Sequence, residues 1–260
     1  MTIRDTPWPA GTPCWADVMV PDPKRAADFY GPLLGWTLVD QGAEFGNYLI
    51  AHVQGRAAAA IGPKPPGMEE MPSVWTTYLA TENADSTAEK ITAAGGQLLM
   101  PPGDVGPAGR LAMAFDPTGA AFGIWQAGQT TGVQIANVPG TLVWNECMTR
   151  DFEAAKAFYA SVFGYEYDDM SGEGFSYATA KVNDHIIGGV GGLPAEVPAE
   201  IPAHWTTYFG VTDTDGAVAK VGELGGSVLS PARDSPYGRL AQVADDQGVP
   251  FSLISVPAES

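Results

Sequence analysis

The stretch Trp75-Thr76-Thr77-Tyr78 recurs as Trp205-Thr206-Thr207-Tyr208, and Gly109-Arg110-Leu111-Ala112 recurs as Gly238-Arg239-Leu240-Ala241. Repetition at a nearly fixed distance signals an internal duplication, which governs the architecture before any single element does. Working outward, Phe29-Tyr30 matches Phe158-Tyr159 at an offset of 129 residues. The same offset carries Gly11-Thr12 onto Gly140-Thr141, Trp15 onto Trp144 and Tyr48 onto Tyr177. With one inserted residue Gly95-Gly96 falls on Gly225-Gly226, after which Asp116, Gly119 and Phe122 return to register with Asp245, Gly248 and Phe251. So many ordered matches, tryptophans included, are not a product of chance.

Each half divides again. Residues 14–20 read as a strand, and Pro21-Asp22-Pro23 then supplies an N-cap and a first-turn proline. A helix through Ala26, Ala27, Tyr30, Leu33 and Leu34 stops at Gly35, and residues 48–53 and 57–61 read as strands after it. The order repeats with a strand at 75–81, a helix at 84–94 ended by Gly95-Gly96, and strands near 97–100, 111–115 and 121–126. Asp116-Pro117-Thr118-Gly119 is the turn between the last two. Pro-rich runs at 62–73 and 191–203 join the quarters within each half. The expected fold is α+β, four βαβββ modules paired into two barrels, with domains at 1–128 and 140–260 and a linker at 129–139.

Composition narrows the function classes. A length of 260 residues with 45% hydrophobic content can bury a core in two domains. A formal net charge of −17 repels phosphate backbones and anionic membrane surfaces, so nucleic acid and membrane are not expected partners. The acidity either serves solubility or attracts a cationic ligand. Cys14 and Cys147 occupy non-equivalent places in apolar strand-like runs, which suits two reduced, buried thiols better than a disulfide framework. The opening residues lack the apolar core of a signal peptide, and no apolar run approaches a membrane span, so a cytoplasmic protein is expected.

A duplicated strand-helix-strands module with Phe-Tyr in the first helix, Gly-Gly after the second and Asp-Pro-x-Gly before the last strand resembles the vicinal-oxygen-chelate superfamily. That superfamily holds glyoxalase I, extradiol dioxygenases and bleomycin-binding proteins. The resemblance covers nearly all of residues 11–257, and the two-barrel layout is most similar to an actinobacterial glyoxalase-like group labelled hydroxylases. It implies glyoxalase-like barrels, and in many members a divalent metal held by His or Glu from four inward-facing strands. Here those positions fall on Trp15 and Trp144, Thr76 and Thr206, and Gly123 and Ser252, with the fourth in 57–61 or 185–190. Indole offers no lone pair and Thr is a weak neutral ligand, so neither a metal nor another cofactor is expected in either barrel.

On the same resemblance, strand alternation puts Asp17 beside Trp15 and Glu146 beside Trp144 on the concave face. These two carboxylates, in otherwise apolar strands, either serve a structural hydrogen bond or act as ligand acceptor or general base. Tyr78 shares that face with Thr76, and Tyr208 with Thr206 and His204, making a mostly apolar wall with few polar groups. Trp15 and Trp144 either stack on a planar ligand or fill the cavity. Arg110 and Arg239 either tie down their own loops or hold a ligand carboxylate.

The leading functional expectation is a metal-independent binder of a small planar or aromatic molecule. The alternative is a metal-independent enzyme or accessory protein (isomerase, cyclase or hydroxylation partner) with Glu146 or Asp17 as base. A metal-dependent lyase or dioxygenase ranks below both. The four modules imply a monomer with an internal pseudo-dimer. The second cavity, with His204 where the first half has Val74 and Ser252 where it has Gly123, is expected to be the more polar and the stronger binder.

Overall fold

The computed structural model describes residues 1–257. The first half runs β1 (Thr2–Ile3), β2 (Pro13–Val20), α1 (Pro23–Leu34), β3 (Thr37–Asp40), β4 (Leu49–Val53), β5 (Arg56–Pro63), β6 (Trp75–Thr81), α2 (Ala84–Ala93), β7 (Gln97–Val105), β8 (Gly109–Phe115) and β9 (Ala121–Ala127). A short β10 (Ile135–Ala136) in the connecting segment pairs with β1. The second half follows as β11 (Leu142–Thr149), α3 (Phe152–Phe163), β12 (Glu166–Asp169), β13 (Tyr177–Val182), β14 (His185–Gly192), β15 (His204–Val211), α4 (Thr214–Glu223), β16 (Ser227–Ser235), β17 (Gly238–Ala244) and β18 (Pro250–Ser255).

The helix signals work as written. Asp22 accepts from the Arg25 amide at 3.0 Å and Asp151 from the Ala154 amide at 3.1 Å, each filling one of the orphan donors of a first turn. Both helices then end on a glycine in the left-handed region, Gly35 and Gly164, where a side chain would be strained. Four short strands are not legible in the sequence: β3 and β12, whose residues are mostly exposed and carry no alternation, and the two-residue β1 and β10, the latter inside the expected linker. The sequence segmentation also ends β7 too early. This strand continues through Pro101 and Pro102 to Val105 because it is the free edge of its sheet, where a missing N–H breaks no ladder.

Each eight-stranded sheet is drawn from one half: β3-β4-β5-β2-β6-β9-β8-β7 in the first and β12-β13-β14-β11-β15-β18-β17-β16 in the second. At the centre β2 and β6 run antiparallel, flanked by their parallel partners β5 and β9, and β11 and β15 repeat this with β14 and β18. The two modules of a half are thus related by a local two-fold. Odd-numbered residues of β2 face the concave side, while Cys14, Ala16, Val18 and Val20 enter the core on the other.

The helices interlock the halves. Phe29 and Tyr30 of α1 pack on Phe251 of the second sheet, and Phe158 and Tyr159 of α3 pack on Phe122 of the first. Tyr30 donates to Asp245 Oδ2 at 3.0 Å and receives Trp75 Nε1 at 3.0 Å. Reciprocally Tyr159 donates to Asp116 Oδ2 at 2.9 Å and receives Trp205 Nε1 at 2.8 Å. The recurring Phe-Tyr and Asp-Pro-x-Gly words are therefore two ends of one clasp. Between the central strands Asn145 Nδ2 donates to Thr77 Oγ1 at 2.9 Å and Thr207 Oγ1 at 3.2 Å, satisfying polar groups that would otherwise be buried alone.

Candidate functional site

Strand alternation delivers one carboxylate and one tryptophan to each concave face, and the neighbouring strands deliver two phenols. In the first half Tyr48 donates to Asp17 Oδ2 at 2.7 Å and Tyr78 donates to the same oxygen at 3.2 Å. Trp15 Nε1 donates to Tyr48 Oη at 3.0 Å, completing a chain from indole to phenol to carboxylate. In the second half Tyr177 donates to Glu146 Oε2 at 2.6 Å and Tyr208 to Oε1 at 2.6 Å. Trp144 Nε1 lies 3.0 Å from Tyr177 Oη and 3.3 Å from Glu146 Oε2. The extra methylene of Glu146 lets its two oxygens take one phenol each. Asp17 holds both phenols on one oxygen and leaves Oδ1 buried without a partner.

Burial pushes the Asp17 carboxyl up to about 6, against the opposing hydrogen bonds from Tyr48 and Tyr78. The same burial, joined by the carboxylate nearby, raises Tyr48, Tyr78, Tyr177 and Tyr208 well above the usual phenol range, so all four remain donors. Trp15 and Asp17 are almost fully buried, whereas Trp144 is half-buried and Glu146 lies at 9% exposure, so the second site is the more open. Thr76 and Thr206 are half-buried on the same faces. A surface hollow of about 360 Å³ lies elsewhere, against the helices, lined by Leu33, Leu34, Pro139, Val211 and Lys220. The concave faces are lined by the rings of Trp15, Tyr48 and Tyr78 in the first half and of Trp144, Tyr177 and Tyr208 in the second.

The remaining candidate residues are dispersed. His204 stands on the Thr206–Tyr208 face at the start of β15, but its Nδ1 turns back to the Pro202 carbonyl at 2.8 Å rather than to Glu146. Ser252 is fully buried beside Tyr208 in the pairing of β15 with β18, where its hydroxyl helps to pull the Tyr208 phenol down against burial. Arg110 binds Asp85 and Asp104, and Arg239 binds Asp215 and Asp234. Both guanidiniums share the helix-side face with core residues Ala112 and Ala241, so the reading in which either holds a ligand gives way to the structural one.

Tyr48 and Tyr177, which complete both cradles, were not singled out from sequence. Their signal was present as a matched pair at the repeat offset, but they sit just before β4 and within β13, strands that the alternation argument did not reach.

A metal of the kind the fold carries elsewhere does not fit these donors. A β-carbon on Gly123 would lie 2.1 Å from the Tyr78 ring, and one on Gly189 would lie 2.2 Å from Tyr177 Oη, so the phenols fill the space in which ligating side chains would stand. Each site offers one carboxylate, protonated phenols, an indole and a threonine, and among the described residues no three His, Cys, Asp or Glu gather to hold an ion.

The model of the glyoxalase/bleomycin resistance protein/dioxygenase superfamily matches residues 14–124 and again 141–253. The chain belongs to this superfamily. It is 41% identical over 249 residues to "Putative glyoxylase CFP32" of Mycobacterium tuberculosis, covering 94% of both chains. It is 35% identical over 261 residues to the anthracycline biosynthesis protein DnrV of Streptomyces peucetius, covering 95% of this chain and 94% of the relative. In fold it is similar to the Mn(II)-bound glyoxalase from Novosphingobium aromaticivorans, with a TM-score of 0.65 at 15% identity over 95% of this chain and 82% of that one. It is likewise similar to a 2,2',3-trihydroxybiphenyl 1,2-dioxygenase from Sphingomonas wittichii, with a TM-score of 0.63 at 13% identity over 95% and 90% of the two chains. Among the described residues no helix is long and apolar enough to cross a membrane.

Proposed function

We propose that the chain is a metal-independent superfamily member whose concave faces bind a small planar organic molecule. One observation carries this reading: each half sets a carboxylate, clamped by two phenols and flanked by an indole, where the superfamily's metal centre would stand. The indole and phenol rings supply stacking area, and the carboxylate supplies one strong acceptor for a ligand hydroxyl or amine. The name of the relative DnrV points to planar, hydroxylated polyketides of the anthracycline class as the first compounds to try. The test is titration of an anthracyclinone into the metal-stripped chain, read by quenching of tryptophan fluorescence. Saturable quenching that weakens in Trp144→Ala supports the reading, and quenching that requires added Mn(II) or Zn(II) contradicts it.

A second reading is favoured by Asp17. A carboxyl with a value of about 6 and one buried, unpartnered oxygen can take a proton from a bound ligand and return it near neutral pH, as an isomerase or cyclase requires. Conversion of the bound compound over time, lost in Asp17→Asn, separates an enzyme from a binder.

A further inference from the structure

The concave faces of the two halves differ most away from their carboxylates, on the outer strands β16, β17 and β18. Directly opposed residues in an antiparallel pair point to the same face, so the register fixes who shares the Glu146 side. Ser252 pairs with Tyr208 and with Gln242, Gln242 pairs with Ser230, and Arg233 pairs with Leu240, two positions from Gln242 on the same face. Arg233 Nη1 donates to Ser230 Oγ at 3.2 Å, which agrees with both side chains standing on that face. The positive charge of Arg233 also lies near enough to Tyr208 to pull its phenol down, against the larger upward effect of burial.

Two features mark this as a prepared anion site rather than a solvated edge. Arg233 makes no ion pair among the described residues, although 30 acidic residues surround 13 basic ones in this chain and Arg110 and Arg239 each hold two aspartates. And the first half carries nothing comparable: the register places Gly103 opposite Leu111, Met100 opposite Met113 and Met113 opposite Gly123 where the second half has Arg233, Ser230, Gln242 and Ser252. The exchange of an apolar wall for a polar one, at every one of these positions, is confined to one of two otherwise matching sites.

We infer that the second-half site takes an organic acid, its planar body against Trp144 and Tyr208 and its carboxylate held by Arg233 with Gln242. The guanidinium fork matches a planar carboxylate in two parallel hydrogen bonds, and the Gln242 amide supplies a further donor. A carboxylate rather than a phosphate monoester follows from the net charge of −17, which penalises a dianion about twice as heavily as a monoanion. The first-half site, walled by Met100 and Met113, takes an uncharged ligand or none.

This assignment rests on the proposed binding of planar molecules, and the test keeps the two apart. Isothermal titration calorimetry of the full chain at pH 7.5 compares 2-naphthoate, 2-naphthol and 2-naphthyl phosphate, which share one aromatic body. The expected result is one 2-naphthoate per chain, bound about tenfold more tightly than 2-naphthol, the worth of one charge-assisted contact. Arg233→Gln, an exposed substitution on an edge strand, is expected to erase that preference while leaving 2-naphthol binding unchanged. Equal affinities for naphthoate and naphthol, or a preference that survives Arg233→Gln, overturn the anion site but leave the planar-ligand reading standing. Tighter binding of the phosphate overturns the choice of carboxylate. Failure of all three probes up to their solubility overturns both.

Discussion

Replacing Asp17 by Asn tests whether that carboxyl is buried as tightly as the structure shows. The folded value of about 6 stands against an ordinary 3.8, so between these the native state keeps a proton that the unfolded chain releases. The carboxyl therefore contributes stability below about pH 4, loses it as pH rises through about 6, and costs most above that. The difference corresponds to about 3 kcal/mol, undiscounted for solvent because the residue is only 4% exposed. In Asp17→Asn the amide carbonyl can still accept from Tyr48 and Tyr78, but the NH₂ occupies the unpartnered place of Oδ1. That adds a pH-independent penalty of about 1–3 kcal/mol. Urea unfolding of both proteins from pH 4 to pH 8 reads the contrast. The stability of wild type minus variant is expected to fall by about 2.5 kcal/mol across this range and to level off above pH 7. Asp245, also raised by burial, is common to both proteins and cancels. A difference that stays flat with pH, or rises, refutes the reasoning.

Other outcomes follow from the same contacts. Asp245→Ala strands the Tyr30 hydroxyl and the amides of Gln247 and Val249, and Asp116→Ala strands Tyr159 and the amides of Thr118 and Ala120; each is expected to cost about 3 kcal/mol or more in denaturant unfolding. Tyr208→Phe removes a hydrogen bond to a carboxylate, with an expected loss of about 1.5–3 kcal/mol at pH 7 and weaker ligand affinity by calorimetry. Arg110→Ala and Arg239→Ala, which break partly exposed ion pairs on the helix side, are expected to leave the denaturant midpoint nearly where it is and ligand affinity unchanged. We further propose that the chain is a monomer, since the clasp between its halves already supplies a two-fold interface; light scattering at twice the chain mass argues against this.

Much of the fold was legible because a duplication states its own register. The Phe-Tyr, Gly-Gly and Asp-Pro-x-Gly words located all four modules, and alternation around Trp15 and Trp144 placed Asp17 and Glu146 correctly beside them. What those words do for one another was not legible, because the hydrogen bond from Tyr30 to Asp245 spans 215 residues and no local pattern encodes it. The partners of the carboxylates escaped for a related reason. Tyr48 reaches Asp17 from just before β4, which pairs with β5 and not with β2, so neither spacing nor adjacency links them. The hydrogen bond of His204 was likewise not legible: the carbonyl of Pro202, two residues away, takes its Nδ1. Arg233 follows irregular pairing in β16, and only the register after that irregularity puts it on the concave face.

The central claim is that these sites hold an organic molecule without a metal. Native mass spectrometry of the chain after treatment with chelator, then incubated with an anthracyclinone in the presence and absence of Mn(II) and Zn(II), tests it most directly. The expected result is a chain–ligand complex whose abundance is the same with or without the ions and is reduced in the Trp144→Ala, Glu146→Ala double variant. A complex that forms only when a metal ion is bound with the ligand would contradict it.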